Sequence, residues 1–251
     1  VRPHLTYLHH DDWVWSVAWS PDGTKIASAG AGKTVQVWDV ATTNHLFTYR
    51  KHTDAIQEIA WSPDGSYIAS VSRDATLQVI DALSGKHRFS YPGSWGMLAV
   101  AWSPDNRYIA FLDDNNNVYI WILGAAKSFI YSGHESPLES LAWSSDSRHI
   151  ASACMDGSVH IWDAPTGYRS HSYTGHQGIV HAVAWSPDGK RVASAGLDKT
   201  VQVWEPTGPE APIITYRGHI GAVRSVAWSP DGTQIASAGL DKMVHVWKPE
   251  G

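Results

Sequence analysis

Several features that mark other protein classes are scarce in this 251-residue sequence. It has one cysteine, Cys154, so no disulfide can form within the chain, which is typical of a reducing compartment and favours a cytoplasmic protein. No apolar run approaches the ~18 residues that a membrane helix needs, and residues 1–5 lack the pattern of a secretory signal. The 19 Lys and Arg residues are outnumbered by 24 Asp and Glu and form no basic stripe, which argues against a nucleic-acid partner. Because the sequence starts without Met, we expect a segment of a longer protein.

An internal repeat dominates the sequence instead. The tripeptide Ala-Trp-Ser occurs six times, and its tryptophans follow one another at intervals of 41 to 43 residues. These tryptophans are Trp19, Trp61, Trp102, Trp143, Trp185 and Trp228. The repeat predicts a single domain of six units, at about 3–39, 45–81, 87–122, 127–163, 169–205 and 213–248.

The fifth unit shows the local pattern. Apolar and small residues form short runs at 181–185, 192–195, 201–204 and 213–216, which predicts four strands. Pro187-Asp188-Gly189 separates the first two strands and is typical of a hairpin turn, because glycine is free to take a positive φ. One sheet of this size cannot bury both faces alone. Six such sheets in succession therefore predict the blades of an all-β propeller.

The units resemble WD40 repeats over the whole chain. The Gly-His and closing Trp-Asp pairs of that family stand at Gly133-His134, Gly175-His176, Gly218-His219, Trp38-Asp39 and Trp162-Asp163. The resemblance implies a closed ring of six four-stranded antiparallel blades. We expect the N-terminal strand His4–Tyr7 to complete the last blade, since its third strand would otherwise present an unpaired edge. The near-identity of the units is similar to that of tandem arrays in bacterial signalling proteins, which are often attached to kinase or nucleotide-hydrolase domains.

Histidine, serine and aspartate recur at fixed positions in the units and could suggest a catalytic triad. Catalysis requires one such constellation, however, and three units carry it completely. The resemblance implies a structural role instead, as a buried hydrogen-bonded tetrad that also includes the closing tryptophan. The three complete sets are His134, Ser152, Asp156 and Trp162; His176, Ser194, Asp198 and Trp204; and His219, Ser237, Asp241 and Trp247.

The first three units depart from this set. The first has Gly32 in place of the aspartate, the second has Ile80 in place of the tryptophan, and the third has Ser94, Phe111 and Asn115 at the polar positions. Two interpretations stay open: drift in copies that are held by their neighbours, or recruitment of these blades for binding.

No metal or cofactor is expected. Five of the 14 histidines occupy tetrad positions, and the others lack the spacing of zinc or calcium ligands. Gly30–Thr34 resembles the end of a phosphate-binding loop, but it lies in a turn between two strands where no helix follows.

Three tryptophans, Trp13, Trp15 and Trp95, fall outside the repeat pattern. In WD40 proteins, residues near the start of the first strand and before the tetrad aspartate commonly line the top face that meets partners. The resemblance assigns to this face Trp13, Trp15, Gln57, Arg73, Trp95, Leu98, Asp114, Glu139, Met155, His181, Leu197, Arg224 and Leu240. Aromatic and aliphatic residues with few charges are typical of an interface core. Alternatively, Trp13 and Trp15 pack over the ring closure.

These observations predict a non-enzymatic scaffold, a monomer by preference, that binds a protein or peptide through its top face. A propeller enzyme with a site in the central channel is an alternative, but the channel offers only the isolated carboxylates of Glu58, Asp114 and Glu139. A structural or engineered repeat protein without a ligand is another, which the three extra tryptophans disfavour.

Overall fold

The computed structural model describes residues 6–7, 9–125, 128–208 and 211–249. Within these residues, 23 strands form six antiparallel sheets of consecutive strands. The first sheet comprises β1 (Val14–Trp19), β2 (Lys25–Gly30), β3 (Val35–Asp39) and β4 (His45–Tyr49). The second comprises β5 (Ile56–Trp61), β6 (Tyr67–Ser72), β7 (Thr76–Asp81) and β8 (His87–Pro92). The third comprises β9 (Met97–Trp102), β10 (Tyr108–Asp113), β11 (Val118–Ile122) and β12 (Ser128–Tyr131).

The remaining three sheets follow the same order. The fourth comprises β13 (Leu138–Trp143), β14 (His149–Cys154), β15 (Val159–Asp163) and β16 (Tyr168–Tyr173). The fifth comprises β17 (Val180–Trp185), β18 (Val192–Gly196), β19 (Val201–Trp204) and β20 (Ile214–Tyr216), and the sixth β21 (Val223–Trp228), β22 (Ile235–Gly239) and β23 (Val244–Trp247). The described part of the chain contains no helix that is long and apolar enough to cross a bilayer.

The chain divides into two compact units. The first draws on Val1–Trp102, Asn106–Asp114 and Ile122–Ala126, and the second on Ser103–Asp105, Asn115–Trp121 and Lys127–Gly251. The first unit therefore holds the first two sheets and the β9–β10 hairpin. The second holds β12 and the last three sheets.

The turn after each first strand depends on an aspartate and a left-handed residue. In the first sheet, Asp22 accepts a hydrogen bond of 2.6 Å from the Ser20 hydroxyl, and Gly23 adopts a φ of 69°. Glycine takes this conformation without the clash that a Cβ atom brings. The third and fourth repeats lack this glycine, and Asn106 and Ser147 adopt φ values of 62° and 60° instead. The turn thus tolerates the substitution of glycine, although a positive φ is energetically unfavourable for a residue that has a side chain.

The hydrophobic core lies between successive sheets of each unit. In the first unit, Val37 on β3 packs in one cluster with Ile59 on β5. In the second unit, Val203 on β19 packs in the same way with Val226 on β21. All four side chains are buried. Each such sheet is stabilised by burying its faces against its neighbours, as repeat architectures require.

The last sheet differs from prediction, because it has three strands in the described residues. The expected fourth strand, His4–Tyr7, begins outside the described part of the chain, and Thr6 and Tyr7 belong to no strand. Tyr7 contacts the first sheet instead: its ring lies 4.6 Å from the Trp38 ring, and its hydroxyl donates to the Asp39 carbonyl at 3.4 Å. The predicted pairing of this segment with β23 is therefore not seen in the described residues, where an aromatic contact holds Tyr7 against β3.

Candidate interaction surface and the polar networks behind it

The fifth sheet contains a complete hydrogen-bonded set. His176 Nε2 lies 2.8 Å from Ser194 Oγ, and His176 Nδ1 lies 2.9 Å from Asp198 Oδ2. The Trp204 indole N–H donates to Ser194 Oγ at 3.1 Å. Burial opposes ionisation of Asp198, but the hydrogen bond and charge of His176 outweigh it, so the pKa of Asp198 lies well below its ordinary value. The set satisfies polar groups that the packing of the sheets has removed from water.

The sixth sheet keeps two of these three contacts. His219 lies 2.7 Å from Asp241 Oδ2 and 2.9 Å from Ser237 Oγ. The Trp247 indole N–H has no hydrogen-bond partner among the described residues. Burial opposes ionisation of Asp241, but hydrogen bonds, that of His219 foremost, hold its pKa at about 2.

The fourth sheet departs furthest from the predicted set. His134 Nε2 lies 2.7 Å from Ser152 Oγ. Within the described chain, however, neither His134 Nδ1 nor the Trp162 indole N–H has a hydrogen-bond partner. Asp156 accepts a hydrogen bond of 2.8 Å from the backbone N–H of Ser158 instead. Burial lowers the pKa of His134 to about 3, so this imidazole is neutral at pH 7.

Cys154 lies on β14 beside this histidine network and is fully buried. Its thiol donates to the Ser136 carbonyl at 3.3 Å. Burial raises the pKa of the thiol to about 11. The thiol is therefore protonated at pH 7 and lacks the thiolate character that reactive cysteines need.

The first two sheets hold partial sets. In the first, which lacks the aspartate, His10 Nε2 lies 2.6 Å from Ser28 Oγ, and the Trp38 indole N–H donates to the same oxygen at 3.3 Å. In the second, which lacks the tryptophan, His52 Nδ1 lies 2.8 Å from Asp74 Oδ2. His52 Nε2 also lies 2.8 Å from Ser70 Oγ, so the histidine and the serine contact each other in both sheets although one member of each set is missing.

Aromatic packing takes the place of the histidine and serine in the third sheet. Phe111 stands at the serine position and is fully buried. Its ring lies 5.1 Å from the Tyr91 ring in an edge-on arrangement. Such aromatic contact stabilises a blade without polar groups that need partners.

A further contact links neighbouring sheets and was not predicted from the sequence. The tyrosine at the end of a fourth strand forms a hydrogen bond with a Gln or His in the third strand of the next sheet. This Gln or His lies two positions before the Trp or Ile that ends the polar set of that sheet. The pairs are Tyr49 with Gln78 at 3.1 Å, Tyr131 with His160 at 3.2 Å, Tyr173 with Gln202, and Tyr216 with His245 at 2.7 Å. The recurring Tyr and Gln were visible in the sequence, but no local rule pairs residues 29 positions apart.

The predicted surface residues of the first unit form an aromatic patch. Trp13 is 77% exposed and Trp15 is 43% exposed. The Arg73 guanidinium lies 5.9 Å from the centre of the Trp15 ring, a cation–π distance. Trp95 and Asp114 are also exposed. The other predicted residues of this unit, Gln57 and Leu98, are half-buried.

The predicted surface residues of the second unit combine charged and aliphatic groups. His181 is buried, and its Nδ1 atom lies 3.2 Å from Glu139 Oε2. Arg224 Nη1 lies 2.9 Å from His181 Nδ1 and 3.0 Å from Nε2. These three side chains stand at the same position in three successive first strands. Exposed aliphatic side chains accompany them at Met155, Leu197 and Leu240.

The carboxylates of Glu58 and Glu139 each contact another group of the same unit. Glu58 accepts a hydrogen bond of 2.8 Å from the Val100 backbone N–H, and burial raises its pKa to about 7. Glu139 contacts His181 as described. Among the described residues, no group of three or more His, Cys, Asp and Glu side chains is placed to hold a metal ion.

A cavity of about 640 Å³ opens in the second unit, away from the predicted surface residues. His149, His171, Trp185 and Lys190 are among its lining residues. His171 Nε2 and Trp185 Nε1 have no hydrogen-bond partner within the described residues. No sequence pattern indicated this cavity, because its lining comes from turns and strands of two repeats.

The family comparison covers the repeats one by one. The family model described as WD40, WD domain, G-beta repeat, matches residues 2–39, 43–81, 85–121, 126–163, 167–205 and 210–248. The chain belongs to the WD40 family. WD40 repeat proteins generally act as non-enzymatic scaffolds for protein–protein interaction. Each matched segment after the first begins with the fourth strand of one sheet and ends in the third strand of the next sheet.

Two curated relatives show short similarity to this WD40 chain. Both are named "Probable cytosolic iron-sulfur protein assembly protein CIAO1 homolog", one from Nematostella vectensis and one from Chlamydomonas reinhardtii. Each is 59% identical over 29 residues, which is 12% of this chain and 9% or 8% of the relative. The aligned segment is shorter than one repeat. Both relatives are eukaryotic, so they do not support the similarity to tandem arrays of bacterial proteins, which stays a prediction.

Proposed function

We propose that this WD40 chain is a non-enzymatic scaffold that binds a protein or peptide through the face carrying Trp13 and Trp15. The observation that carries the proposal is the exposure of both indoles, with the Arg73 guanidinium 5.9 Å from the centre of the Trp15 ring. Groups of large apolar side chains that are exposed together on a protein surface mark interaction sites. Tryptophan and arginine are also the residues most enriched among those that dominate binding energy.

The second unit supports the same proposal by its composition. Leu197 and Leu240 are exposed, and the same unit carries the polar series Glu139, His181 and Arg224. Apolar anchors next to charges that fix orientation are typical of an interface core with a polar rim. A partner segment with apolar side chains and a carboxylate would match Arg73 or Arg224. The single cysteine, which is buried and free, and the similarity to relatives named as cytosolic proteins support a cytosolic location.

The test begins with peptides of random sequence, because the proposed face does not specify one partner sequence. A 12-residue phage library is selected on the wild-type chain, and the affinity of enriched peptides is measured by fluorescence polarisation. The double variant Trp13→Ala and Trp15→Ala is then compared with wild type. We expect it to lose at least about 30-fold in affinity, since an aromatic anchor contributes roughly 2 kcal/mol or more.

Tyr168→Ala provides the matched control, because Tyr168 is an exposed aromatic residue outside the proposed face. Thermal unfolding is recorded for both variants. A tryptophan variant that melts at a lower temperature but binds peptides as well as wild type would assign the two indoles to packing. Selection of no peptide above background would contradict the proposed function.

A further inference from the structure

The cavity of about 640 Å³ in the second unit lies between the fourth and fifth sheets. Its walls come from strands of the fourth sheet, through Ile161 and His171, and from turns of the fifth sheet, through Lys190 and Pro206. All of its lining residues belong to this one unit. Sites for small molecules typically measure about 300–1,000 Å³. The cavity is therefore large enough for a small organic ligand.

His171 departs from the repeat at this cavity. Its position, two residues before the tyrosine that ends a fourth strand, holds phenylalanine in each of the first three sheets. The Phe47 ring reaches the loop after the third strand of the next sheet, where a Cβ atom at Gly85 would clash with it. The Phe89 ring does the same, 3.3 Å from the place of a Cβ atom at Gly124. Between the fourth and fifth sheets, the cavity opens where a phenyl ring fills the corresponding junctions.

Two nitrogens of the cavity lining are buried without a partner. His171 Nε2 and Trp185 Nε1 have no hydrogen-bond partner among the described residues. The equivalent indole of Trp61 donates to the Ala18 carbonyl at 3.1 Å. A buried polar group without a partner costs free energy, and a phenylalanine at position 171 would avoid one of the two. Packing alone therefore does not explain the histidine, which points to another role for it.

The lining also carries a cation whose counterpart in the fourth sheet is paired. There, Arg148 Nε donates to Asp163 Oδ2 at 2.8 Å. Lys190 and Glu205 stand at the same two positions of the fifth sheet, and neither forms an ion pair within the described chain. The Glu205 carboxylate lies over its own loop, where a Cβ atom at Gly208 would be 3.4 Å from Oε2. Lys190 is thus left without a carboxylate partner.

The remaining carboxylate of the lining, Asp146, is already occupied by neighbouring donors. It accepts hydrogen bonds from the Ser144 hydroxyl and, at 2.9 Å, from the Arg148 backbone N–H. Its Oδ2 atom also lies 3.6 Å from His149 Nδ1. The charge that is free to pair with a ligand is therefore that of Lys190, and a positive charge favours an anionic ligand.

We propose that this cavity binds a small aromatic carboxylate. The aromatic ring takes the space that a phenylalanine fills between earlier sheets, against Ile161 and Trp185. The carboxylate pairs with the Lys190 ammonium. The site shares no residue with the face that carries Trp13 and Trp15, so the inference goes beyond the proposed function.

The test compares three probes of similar shape and different charge. These are 4-fluorophenylacetate, its neutral amide and 4-fluorophenethylamine, each titrated with the wild-type chain by fluorine NMR. Probes of this size are expected to bind with millimolar dissociation constants, the acid more tightly than the amide and the amine most weakly. Lys190→Met is expected to weaken binding of the acid about 2- to 5-fold and to leave binding of the amide unchanged. Lys242→Met is the matched control, because Lys242 is exposed and lies outside the lining.

His171→Phe tests the cavity itself, because it restores the ring that the first three sheets have at this position. The variant loses a buried nitrogen without a partner, so its melting temperature is expected to equal or exceed that of wild type. It is expected to bind none of the probes. A wild-type chain that binds no probe at millimolar concentration overturns the proposal, as does equal affinity for the acid and the amide. A folded His171→Phe variant that binds the acid as wild type does, or an unchanged affinity in Lys190→Met, overturns it as well.

Discussion

Two histidines provide a matched pair that isolates one hydrogen bond. His176 and His134 occupy the same position in the fifth and fourth sheets, and both are 7% exposed. Each contacts its serine, at 2.8 Å and 2.7 Å respectively. Only His176 also contacts its aspartate, Asp198, at 2.9 Å. The two substitutions to alanine therefore remove similar volumes but different numbers of hydrogen bonds.

The expected difference follows from this geometry. The cavity left by the imidazole and the lost contact with serine enter both variants and cancel in the comparison. His176→Ala additionally removes a hydrogen bond to the Asp198 carboxylate, and bonds to charged groups contribute about 1.5–3 kcal/mol. We therefore expect His176→Ala to lower the free energy of unfolding by about 1.5–3 kcal/mol more than His134→Ala. For a chain of this length, that corresponds to roughly 3–12 °C in melting temperature.

Denaturant unfolding, followed by circular dichroism and tryptophan fluorescence, measures the two losses. Coincidence of the two signals is required, because repeat proteins can unfold in parts. His10→Ala serves as a further comparison, since the first sheet has no aspartate to leave without its partner. Equal losses for His176→Ala and His134→Ala would refute the assignment of the contact between His176 and Asp198 as a stabilising one.

Two further predictions concern the fourth sheet. The pKa of His134 in the folded chain is about 3, which is below that of an unfolded histidine. His134 therefore contributes stability that is complete above about pH 6.5 and is lost as the pH falls toward 3. The variant His134→Gln is expected to flatten the pH dependence of the melting temperature in this window. An unchanged slope between about pH 4 and 6.5 would contradict this. Cys154→Gly is expected to let His134 reach Asp156, so that His134→Ala costs about 1.5–3 kcal/mol more in the Cys154→Gly background than in wild type. Equal costs in chemical denaturation would show that the thiol does not separate them.

The repeat pattern predicted most of the sheet structure, because period and turn chemistry are local signals. Strands and hairpin turns appear where runs of apolar residues and Pro-Asp-Gly were found, and Asn106 and Ser147 keep the turn without glycine. The constant spacing between the histidine and the serine in the sequence also follows from the constant geometry of the repeat. In five sheets the two side chains, 18 positions apart, lie within hydrogen-bonding distance.

Features that depend on distant residues were not predictable in this way. The contact of Tyr173 with Gln202 joins two sheets, and a single sequence gives no measure of which residues meet across them. The three-stranded last sheet is a second example. The sequence indicated an edge that needs a partner, but not where Tyr7 would pack.

The fourth sheet shows how one side chain can change a network whose spacing is intact. Cys154 stands where the fifth and sixth sheets have Gly196 and Gly239. A Cβ atom at Gly239 would lie 3.0 Å from both His219 Nδ1 and Asp241 Oδ1, and one at Gly196 would lie 3.2 Å from His176 Nδ1. A side chain at this position therefore crowds the point where histidine and aspartate meet. The second sheet accommodates Ser72 there, whose hydroxyl accepts from the Asp74 N–H at 3.1 Å. Cys154 makes the corresponding contact, since its thiol donates to the Ser136 carbonyl at 3.3 Å as the Ser72 hydroxyl donates to the Asp54 carbonyl at 2.9 Å. The sulfur is larger than the serine oxygen and also hydrogen-bonds with Asp156, which lowers the pKa of this carboxyl, and the Cys154→Gly variant tests whether the thiol keeps Asp156 from His134.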